Sequence, residues 1–439
     1  MSTNNQPRVL SLLSAATEIV ARLGCAHLLV GRSHGCDDPP LVASLPVATA
    51  PRVDPNAPSG ELDAQVRVRA ATGGPVYQIN NELVASSRPT VIITQEQCRI
   101  CAVTPEDLNR ACDNNLPAAA KLITIMPVSL DDVLGDVITI ANALEVPERG
   151  ARLVAHIRKQ LSNLQLTSLD VLGECAKPKV AHVEWLAPLM GSGYWIAECV
   201  DFAGGEMVHG YPGGHSQTLE KIDLLSIAEH IITSPCGFGI ERTYEELGTL
   251  KILESKEWLE LPAVKNGRVS VAYGNKYFNR SSVASISGTA EIVAESIHPE
   301  LRGMYGHHGT RWVRLEELKA FCERPGAEAV KKEVILADGV CRINETKSNN
   351  DSPRHVTPKD SLAIQHVIKQ IAVLQRSDYN AAFEMNSAAN QKRLISAEKF
   401  EAIVSGWPSF RVLTMPKTSC EYQTEFGDDG VIANVKVDA

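Results

Sequence analysis

The feature that most constrains the fold is a repeated alternation of short apolar runs with helical segments over the first 300 residues. The run VLSLL (9–13) leads into helical text that Ser14 is predicted to cap and Gly24 to end. The runs TVIIT (90–94) and KLITIMP (121–127) are each followed by helical text in the same way. Such alternation is typical of parallel strands joined by helical crossovers. The sequence therefore predicts an α/β fold.

The alternation begins again after one long helical segment. Residues 148–165 carry apolar side chains at helical spacing, with charged residues elsewhere and neither Gly nor Pro after Gly150. Beyond them, KVAHVEW (179–185), EHIITSP (229–235) and GRVSVAY (267–273) alternate with further helical text. We therefore predict two Rossmann-like α/β lobes bridged by a single long helix.

The composition of the sequence changes towards the C-terminus. The segment RINETKSNNDSPRHVTP is polar and indicates a linker. Helical text and the strand-like runs SCEYQTEF and VIANVKV then predict a small α+β domain, with so little sheet that it is consistent with a truncated chain. The predicted boundaries are 1–147 for the N-terminal lobe, 148–165 for the bridging helix, 166–310 for the second lobe, 311–358 for a tail and linker, and 359–439 for the small domain.

Composition and charge argue against several function classes. The formal net charge is −9 and no Lys/Arg-rich run occurs, so the sequence lacks the basic footprint of nucleic-acid binding. No apolar stretch approaches the roughly 18 residues that span a bilayer, and the N-terminal residues lack the pattern of a secretory signal. We therefore expect no nucleic-acid partner, no membrane insertion and a cytoplasmic location.

Metal-capable, aromatic and ionisable residues follow the predicted strands. Because ligands of open α/β sheets bind beyond the carboxyl ends of the strands, these residues are predicted to line a cleft between the lobes. The candidate ligand-binding residues are His34, Asp37, Gln95, Glu184, Trp185, His215, Phe238, Tyr277, Phe278, Asn279 and Arg280. The motifs GxGxxG, GxSxG and HExxH and the Walker loop are absent from the sequence, so nucleotide-dependent and standard hydrolase chemistry lack support.

These residues also have structural interpretations. His34 is either a metal ligand or a histidine that caps its loop through hydrogen bonds. Asp37, which Asp38 and two prolines follow, is also typical of a turn. Aromatic residues such as Trp185 either stack on a flat ligand or fill the core. Arg280 pairs either with a ligand anion or with a carboxylate across the cleft.

Four of the eleven cysteines stand out. Cys98 and Cys101 form a CxxC motif at a predicted helix start, which brings two sulfurs within reach of one ion and favours thiolates. Cys36 and Cys236 follow other predicted strands, so together the four would complete a site for zinc or an iron–sulfur cluster. The alternative is a set of reduced thiols in the cleft, and the other cysteines are expected to be structural.

Taken together, the segments resemble a known family. The blocks that carry the resemblance lie within residues 8–300 and read RVLSLLSAATEIVARLG, LLVGRSHGCDDPP, TVIITQEQCRICAVT, VEWLAPLMGSGYWIAECVDFAGG, SPCGFGIERT and GNKYFNRSS. They are similar to iron/vitamin B12 periplasmic-binding proteins of the cobalamin-binding, helical-backbone metal receptor type. The resemblance implies two lobes on one rigid helix that clasp a corrinoid, haem or iron chelate. The missing export signal and the cysteine set indicate a cytosolic subgroup.

Three functions are compatible with these features. The leading hypothesis is a non-catalytic substrate-binding protein, related to those of ABC transporters, for a small-molecule metal chelate such as cobalamin or a related corrinoid. The alternative is an enzyme whose cysteines hold zinc or an iron–sulfur cluster and which acts on a tetrapyrrole or small metabolite. A third is a scaffold whose C-terminal unit binds a protein partner that the sequence does not identify. We favour a protein without catalytic activity, and no catalytic residue is assigned.

Overall fold

The computed structural model describes residues 6–72, 75–96, 103–112, 120–324, 420–427 and 430–437. The chain separates into two compact units, Met1–Gly339 and Val340–Ala439. The first unit contains both lobes and the helix that joins them. The predicted linker and the helical part of the small domain lie outside the described residues.

The first lobe is built on short strands. They are β1 (Val9–Ser11), β2 (Leu29–Arg32), β3 (Thr49–Pro51), β4 (Tyr77–Ile79), β5 (Val91–Gln95) and β6 (Lys121–Ile125). A parallel sheet has the order β2-β1-β5-β6, and β3 pairs with β4 in a separate antiparallel ribbon. Every residue of β1 and β5 is buried, as expected of central strands that are covered on both faces.

Helices cover this sheet. They are α1 (Ser14–Arg22), α2 (Ser59–Ala71), α3 (Asn81–Ser86), α4 (Pro105–Ala111) and α5 (Leu130–Ala143). The side chains of Thr104 and Ser129 begin α4 and α5 as capping boxes. The prediction that Ser14 caps α1 is wrong, because Ser14 is the first helical residue and its hydroxyl donates to the carbonyl of Gly35 at 2.5 Å. That bond ties the loop after β2 to the start of α1.

One helix joins the lobes. Helix α6 (Pro147–Leu172) confirms the predicted bridging helix and continues beyond its predicted end. The buried positions Ile157, Leu161 and Leu164 lie at the three- and four-residue spacing of one helical stripe. Gly150 allows α6 to approach α5, since a Cβ there would lie 2.5 Å from the Cβ of Ala141.

The second lobe has a mixed sheet. Its strands are β7 (Lys179–Leu186), β8 (Leu189–Gly191), β9 (Glu206–Met207), β10 (Gln217–Thr218), β11 (His230–Thr233), β12 (Val269–Ala272) and β13 (Trp312–Arg314). The order is β10-β8-β7-β11-β12-β13, with β9 beside β7. The three central strands are parallel, whereas β8, β10 and β13 pair in antiparallel fashion. The central strands were predicted from the sequence, and the short outer strands were not.

Helices of the second lobe complete a core that both lobes share. They are α7 (Ile196–Phe202), α8 (Ile240–Leu250), α9 (Lys256–Glu260), α10 (Pro262–Lys265), α11 (Val283–Ile297) and α12 (Leu318–Cys322). Helix α11 is almost entirely buried and packs against α6 and α7. One apolar cluster runs from Val9 and Ile19 of the first lobe through Leu161 to Ile286 and Trp312 of the second. The two lobes and their single connecting helix confirm the predicted fold class.

The second unit contains an antiparallel hairpin. Its strands are β14 (Cys420–Gly427) and β15 (Gly430–Val437), with Gly427 opposite Gly430. Both strands were predicted. None of the helices in the described ranges combines the length and the apolar character that a bilayer crossing requires.

Candidate ligand-binding cleft

Loops that follow strands of the two sheets meet between the lobes. The Arg280 Nη1 atom, after β12, lies 2.6 Å from Oδ1 of Asp37, after β2. The side chain of Asn275 donates to the other Asp37 oxygen at 3.1 Å, and the Lys276 Nζ atom lies 2.9 Å from Oδ1 of Asp38. The carboxyl ends of these strands therefore face each other across a cleft, and two carboxylates of the first lobe pair with two cations of the second.

Arg280 is the most buried charge of this group. Its side chain is 6% exposed, whereas that of Asp37 is 51% exposed. Burial opposes the guanidinium charge, but the contact with Asp37 outweighs burial and raises the pKa of Arg280. The sequence left open whether Arg280 meets a ligand anion or a carboxylate across the cleft, and here it meets a carboxylate. Asp37 is thus the group that compensates a buried positive charge.

Helix α8 makes a second set of contacts between the lobes. Arg242 donates to the main-chain carbonyls of Pro55 and of Ala57, the latter at 2.9 Å, and its guanidinium lies 3.7 Å from the ring centroid of Phe238. Glu246 accepts from the backbone N–H of Ser59 at 2.8 Å and from its hydroxyl at 2.5 Å. Since Ser59 begins α2, a carboxylate of the second lobe satisfies the N-terminus of a first-lobe helix.

A buried carboxylate joins the lobes near their shared core. Glu18 on α1 is fully buried and accepts from the hydroxyl of Ser282 and from the backbone N–H of Ala284, the latter at 3.0 Å. These donors lie at the N-terminus of α11, where a negative charge is stabilised by the helix dipole.

Sequence reasoning missed three residues that make these interlobe contacts, Glu18, Arg242 and Glu246. A signal was present for Glu18 and Glu246, because each is a carboxylate among the buried residues of an amphipathic helix.

His34 lies in the loop after β2, where it is held by Thr49. The hydroxyl oxygen of Thr49 lies 3.0 Å from the backbone nitrogen of His34 and 2.7 Å from Nδ1. The residue is exposed to solvent, yet burial by the surrounding protein, with repulsion from Arg32, lowers the pKa of its imidazole to about 4. His34 is therefore neutral at pH 7 and can be reached from solvent.

Most of the predicted aromatic residues pack within the second lobe. Phe278 is 3% exposed and stacks on the His182 ring at 4.7 Å, and Tyr277 is also buried. Phe238 is buried and meets the partly buried Trp185 edge-on at 5.3 Å. These contacts fix the loops that carry the charged residues of the cleft.

The remaining predicted ligand-binding residues lie on strands and loops of both lobes. Asn279 donates to the carbonyl of Gly274 at 2.5 Å and so holds the loop after β12. Gln95 is buried at the end of β5, and Glu184 is partly buried in β7. The Nδ1 atom of the exposed His215 lies 2.7 Å from the hydroxyl of Tyr194.

The predicted cysteine site is only partly within the described residues. Cys36 is fully buried, accepts from the hydroxyl of Thr17 at 3.0 Å, and has its pKa raised by burial. Those surroundings suit a thiol better than a metal-bound thiolate. Cys236 is exposed after β11, and Cys98 and Cys101 lie outside the described residues. No group of three or more His, Cys, Asp or Glu in the described ranges is arranged to hold a metal ion.

Comparison with known proteins finds similar solved structures. No protein-family model matches the sequence, and no curated protein matches it. A periplasmic heme binding protein from Pseudomonas aeruginosa aligns with a TM-score of 0.50 at 15% identity, over 67% of this chain and 94% of that one. The periplasmic heme-binding protein BhuT in complex with two hemes aligns with a TM-score of 0.49 at 16% identity, over 68% of this chain and 100% of that one. The periplasmic vitamin B12 binding protein BtuF of Vibrio cholerae aligns with a TM-score of 0.47 at 17% identity, over 67% of this chain and 98% of that one.

The predicted cytoplasmic location is wrong. It is contradicted by the structure that aligns at a TM-score of 0.50, which is that of a periplasmic protein. The prediction depended on sequence patterns that were not found, namely a secretory signal and a bilayer-spanning apolar stretch, and such absences do not establish a location. The proposed cytosolic subgroup loses its basis with it.

Proposed function

Because the chain has the fold of the iron/vitamin B12 class of periplasmic binding proteins, we propose that it binds a small metal chelate in the cleft between its lobes. The observation that carries the proposal is the meeting of strand-end loops from both lobes, where Asp37 faces Arg280 and Asp38 faces Lys276. A ligand in this position contacts both lobes at once. The function is binding without catalysis, in the manner of the substrate-binding proteins of ABC transporters.

The ligand class we propose is a tetrapyrrole. The structure that aligns at a TM-score of 0.50 is a heme binding protein. His34 supports the same class, because metals coordinate the neutral imidazole and a pKa of about 4 keeps His34 neutral at pH 7. With Nδ1 held by Thr49, Nε2 is the nitrogen available to an axial position on the metal.

Two tetrapyrroles suit different parts of the cleft. A corrinoid carries amide side chains, which match the hydrogen-bonding groups of Asp37 and Asn275. A haem carries carboxylates, which match the cations Lys276 and Arg280. We propose the corrinoid, the ligand expected from the sequence, with haem as the competing outcome of the same titration.

The test is an absorption titration of the full chain with aquocobalamin and, separately, with hemin. We expect saturation at one equivalent with a dissociation constant of about 10 μM or lower and a shift of the ligand spectrum on coordination. His34→Ala should abolish that shift. His27→Ala is the matched control, because His27 is an exposed histidine in the turn that follows α1. Failure of both ligands to saturate the wild-type protein would refute the proposal.

The alternative of a metal-dependent or iron–sulfur enzyme has less support. Within the described ranges no cluster of three metal-binding side chains occurs. Burial raises the pKa of Cys36, which favours the protonated thiol over a metal-bound thiolate. The four-cysteine site stays a prediction. Metal analysis of the purified protein, which should find less than one zinc or iron per chain before any ligand is added, discriminates the two functions.

A further inference from the structure

A second cavity lies at the other end of the second-lobe sheet from the cleft. Its volume is about 200 Å³, and its polar lining consists of His230, Arg268 and His298. His230 begins β11, whose other end leads through Thr233 towards the cleft loops. The length of a strand therefore separates this cavity from the proposed chelate site, and the two are independent.

Positive charge dominates the surroundings of this cavity. Arg314 on β13 is 3% exposed and donates to Ser270 Oγ at 3.0 Å. Burial, followed by repulsion from Arg302, lowers the pKa of Arg314 to about 10, and Arg268 adds to that repulsion. The carboxylate of Glu229 lies 3.7 Å from Arg268 and also accepts from a backbone N–H. Glu317 and Glu316 also act on Arg314, but burial and the neighbouring arginines outweigh them and its pKa stays lowered.

The two histidines of the lining differ in their hydrogen bonds. His230 is 4% exposed, and its buried Nδ1 has no hydrogen-bond partner among the described residues. His298 is equally buried, and its Nε2 lies 2.8 Å from the carbonyl oxygen of Ala203. Because a carbonyl only accepts, Nε2 of His298 carries the proton that it donates.

We propose that this cavity binds a small oxyanion, such as a sulfate or phosphate group, between His230, Arg268 and His298. The cavity has room for such an ion with several waters, since about 10–15 Å³ of volume measured in this way holds one water. The neighbouring arginines would repel a cation, which excludes the two histidines as a metal site.

Binding should be coupled to proton uptake. In the cavity as it stands, burial and then repulsion from Arg314, Arg268 and His298 lower the pKa of His230 to about 3. Glu229, the residue before His230, and Lys179, at the start of β7, also lie near this end of the sheet. Around Arg314 the further charges are Arg302, Glu316 and Glu317. A bound dianion favours the imidazolium and raises the pKa of His230, so the affinity should rise as the pH falls.

The experiment is calorimetric titration of the full chain with sodium sulfate at constant ionic strength, at pH 5.5 and 7.5. Sulfate keeps its charge over this range, so any pH dependence belongs to the protein. We expect one site, with tighter binding at pH 5.5 than at pH 7.5. Arg268→Gln should weaken binding about tenfold, the loss expected for a hydrogen bond to a charged group. Arg158→Gln, which removes an exposed arginine of α6, should leave it unchanged.

His230→Leu provides an independent readout. It removes the unpartnered nitrogen, so it should abolish the pH dependence while the protein stays folded by circular dichroism. Phenyl phosphate, titrated in parallel, distinguishes two sources of the oxyanion. If it binds, the site accepts a phosphorylated small molecule; if only sulfate binds, the site takes the free ion. Absence of sulfate binding at pH 5.5, or equal binding by wild type and Arg268→Gln, would overturn the proposal.

Discussion

The pair between Asp37 and Arg280 makes a quantitative prediction. Two charges about 4 Å apart at an effective dielectric constant of about 20 attract by about 4 kcal/mol. Breaking a fully buried pair costs about 3–5 kcal/mol, whereas an exposed pair contributes about 0.2–1 kcal/mol. Arg280 is 6% exposed and Asp37 is 51% exposed, so the pair lies between these limits. We expect Asp37→Asn to lower the free energy of unfolding by about 1–2 kcal/mol.

The assay is urea unfolding of the wild type, Asp37→Asn, Arg280→Gln and the double variant. The double variant should be less destabilised than the sum of the single variants, with a coupling energy of about 1 kcal/mol, because the second substitution removes the unpaired buried charge. Asp131→Asn is the control, since Asp131 is 75% exposed in its pair with Arg158. If Asp37→Asn costs no more than Asp131→Asn, or if the coupling is zero, the account of the cleft charges is refuted.

Three further predictions concern other parts of the first unit. Glu18→Ala, which leaves buried donors at the start of α11 without an acceptor, should cost about 2–3 kcal/mol in urea unfolding, and a loss below about 0.5 kcal/mol would contradict the contact. The imidazole of His34 should stay neutral in an NMR titration until the pH nears 4. The neutral ring therefore stabilises the fold above its unfolded-state pKa of about 6.5, and this stabilisation is lost as the pH falls from about 6.5 to about 4. A titration midpoint near 6.5 would be inconsistent with a desolvated ring. Limited proteolysis should cut between Arg342 and Lys359 and leave an N-terminal fragment that binds tetrapyrrole as the full chain does, because that fragment contains both lobes.

The central strands and the bridging helix could be predicted because their signal is local. All five residues of β5 are buried, and the apolar run at 91–93 marks the strand in the sequence. Strands β9 and β10 have two residues each and gave no such signal. Helix α2 was also missed, since only Ser59 and Val66 are buried in it and no apolar stripe results.

In the cleft, too, local signals could be predicted from the sequence and long-range contacts could not. Asp37 and Arg280 were predicted because each follows a strand, and the fold brings strand ends together. The partners of Glu18 and Glu246 are 264 and 187 residues away, and only the relative placement of the two lobes brings them into contact. A sequence shows that a carboxylate lies on a buried helical face, but not which distant helix terminus it satisfies.

The most direct test of the central claim is a crystal structure of the chain grown with the tetrapyrrole that saturates it. The account predicts the chelate between the loop of Asp37 and the loop of Arg280, with the metal about 2 Å from Nε2 of His34, a normal metal-to-imidazole distance. Ligand bound elsewhere on a saturated protein, with the contact between Asp37 and Arg280 intact, would contradict it.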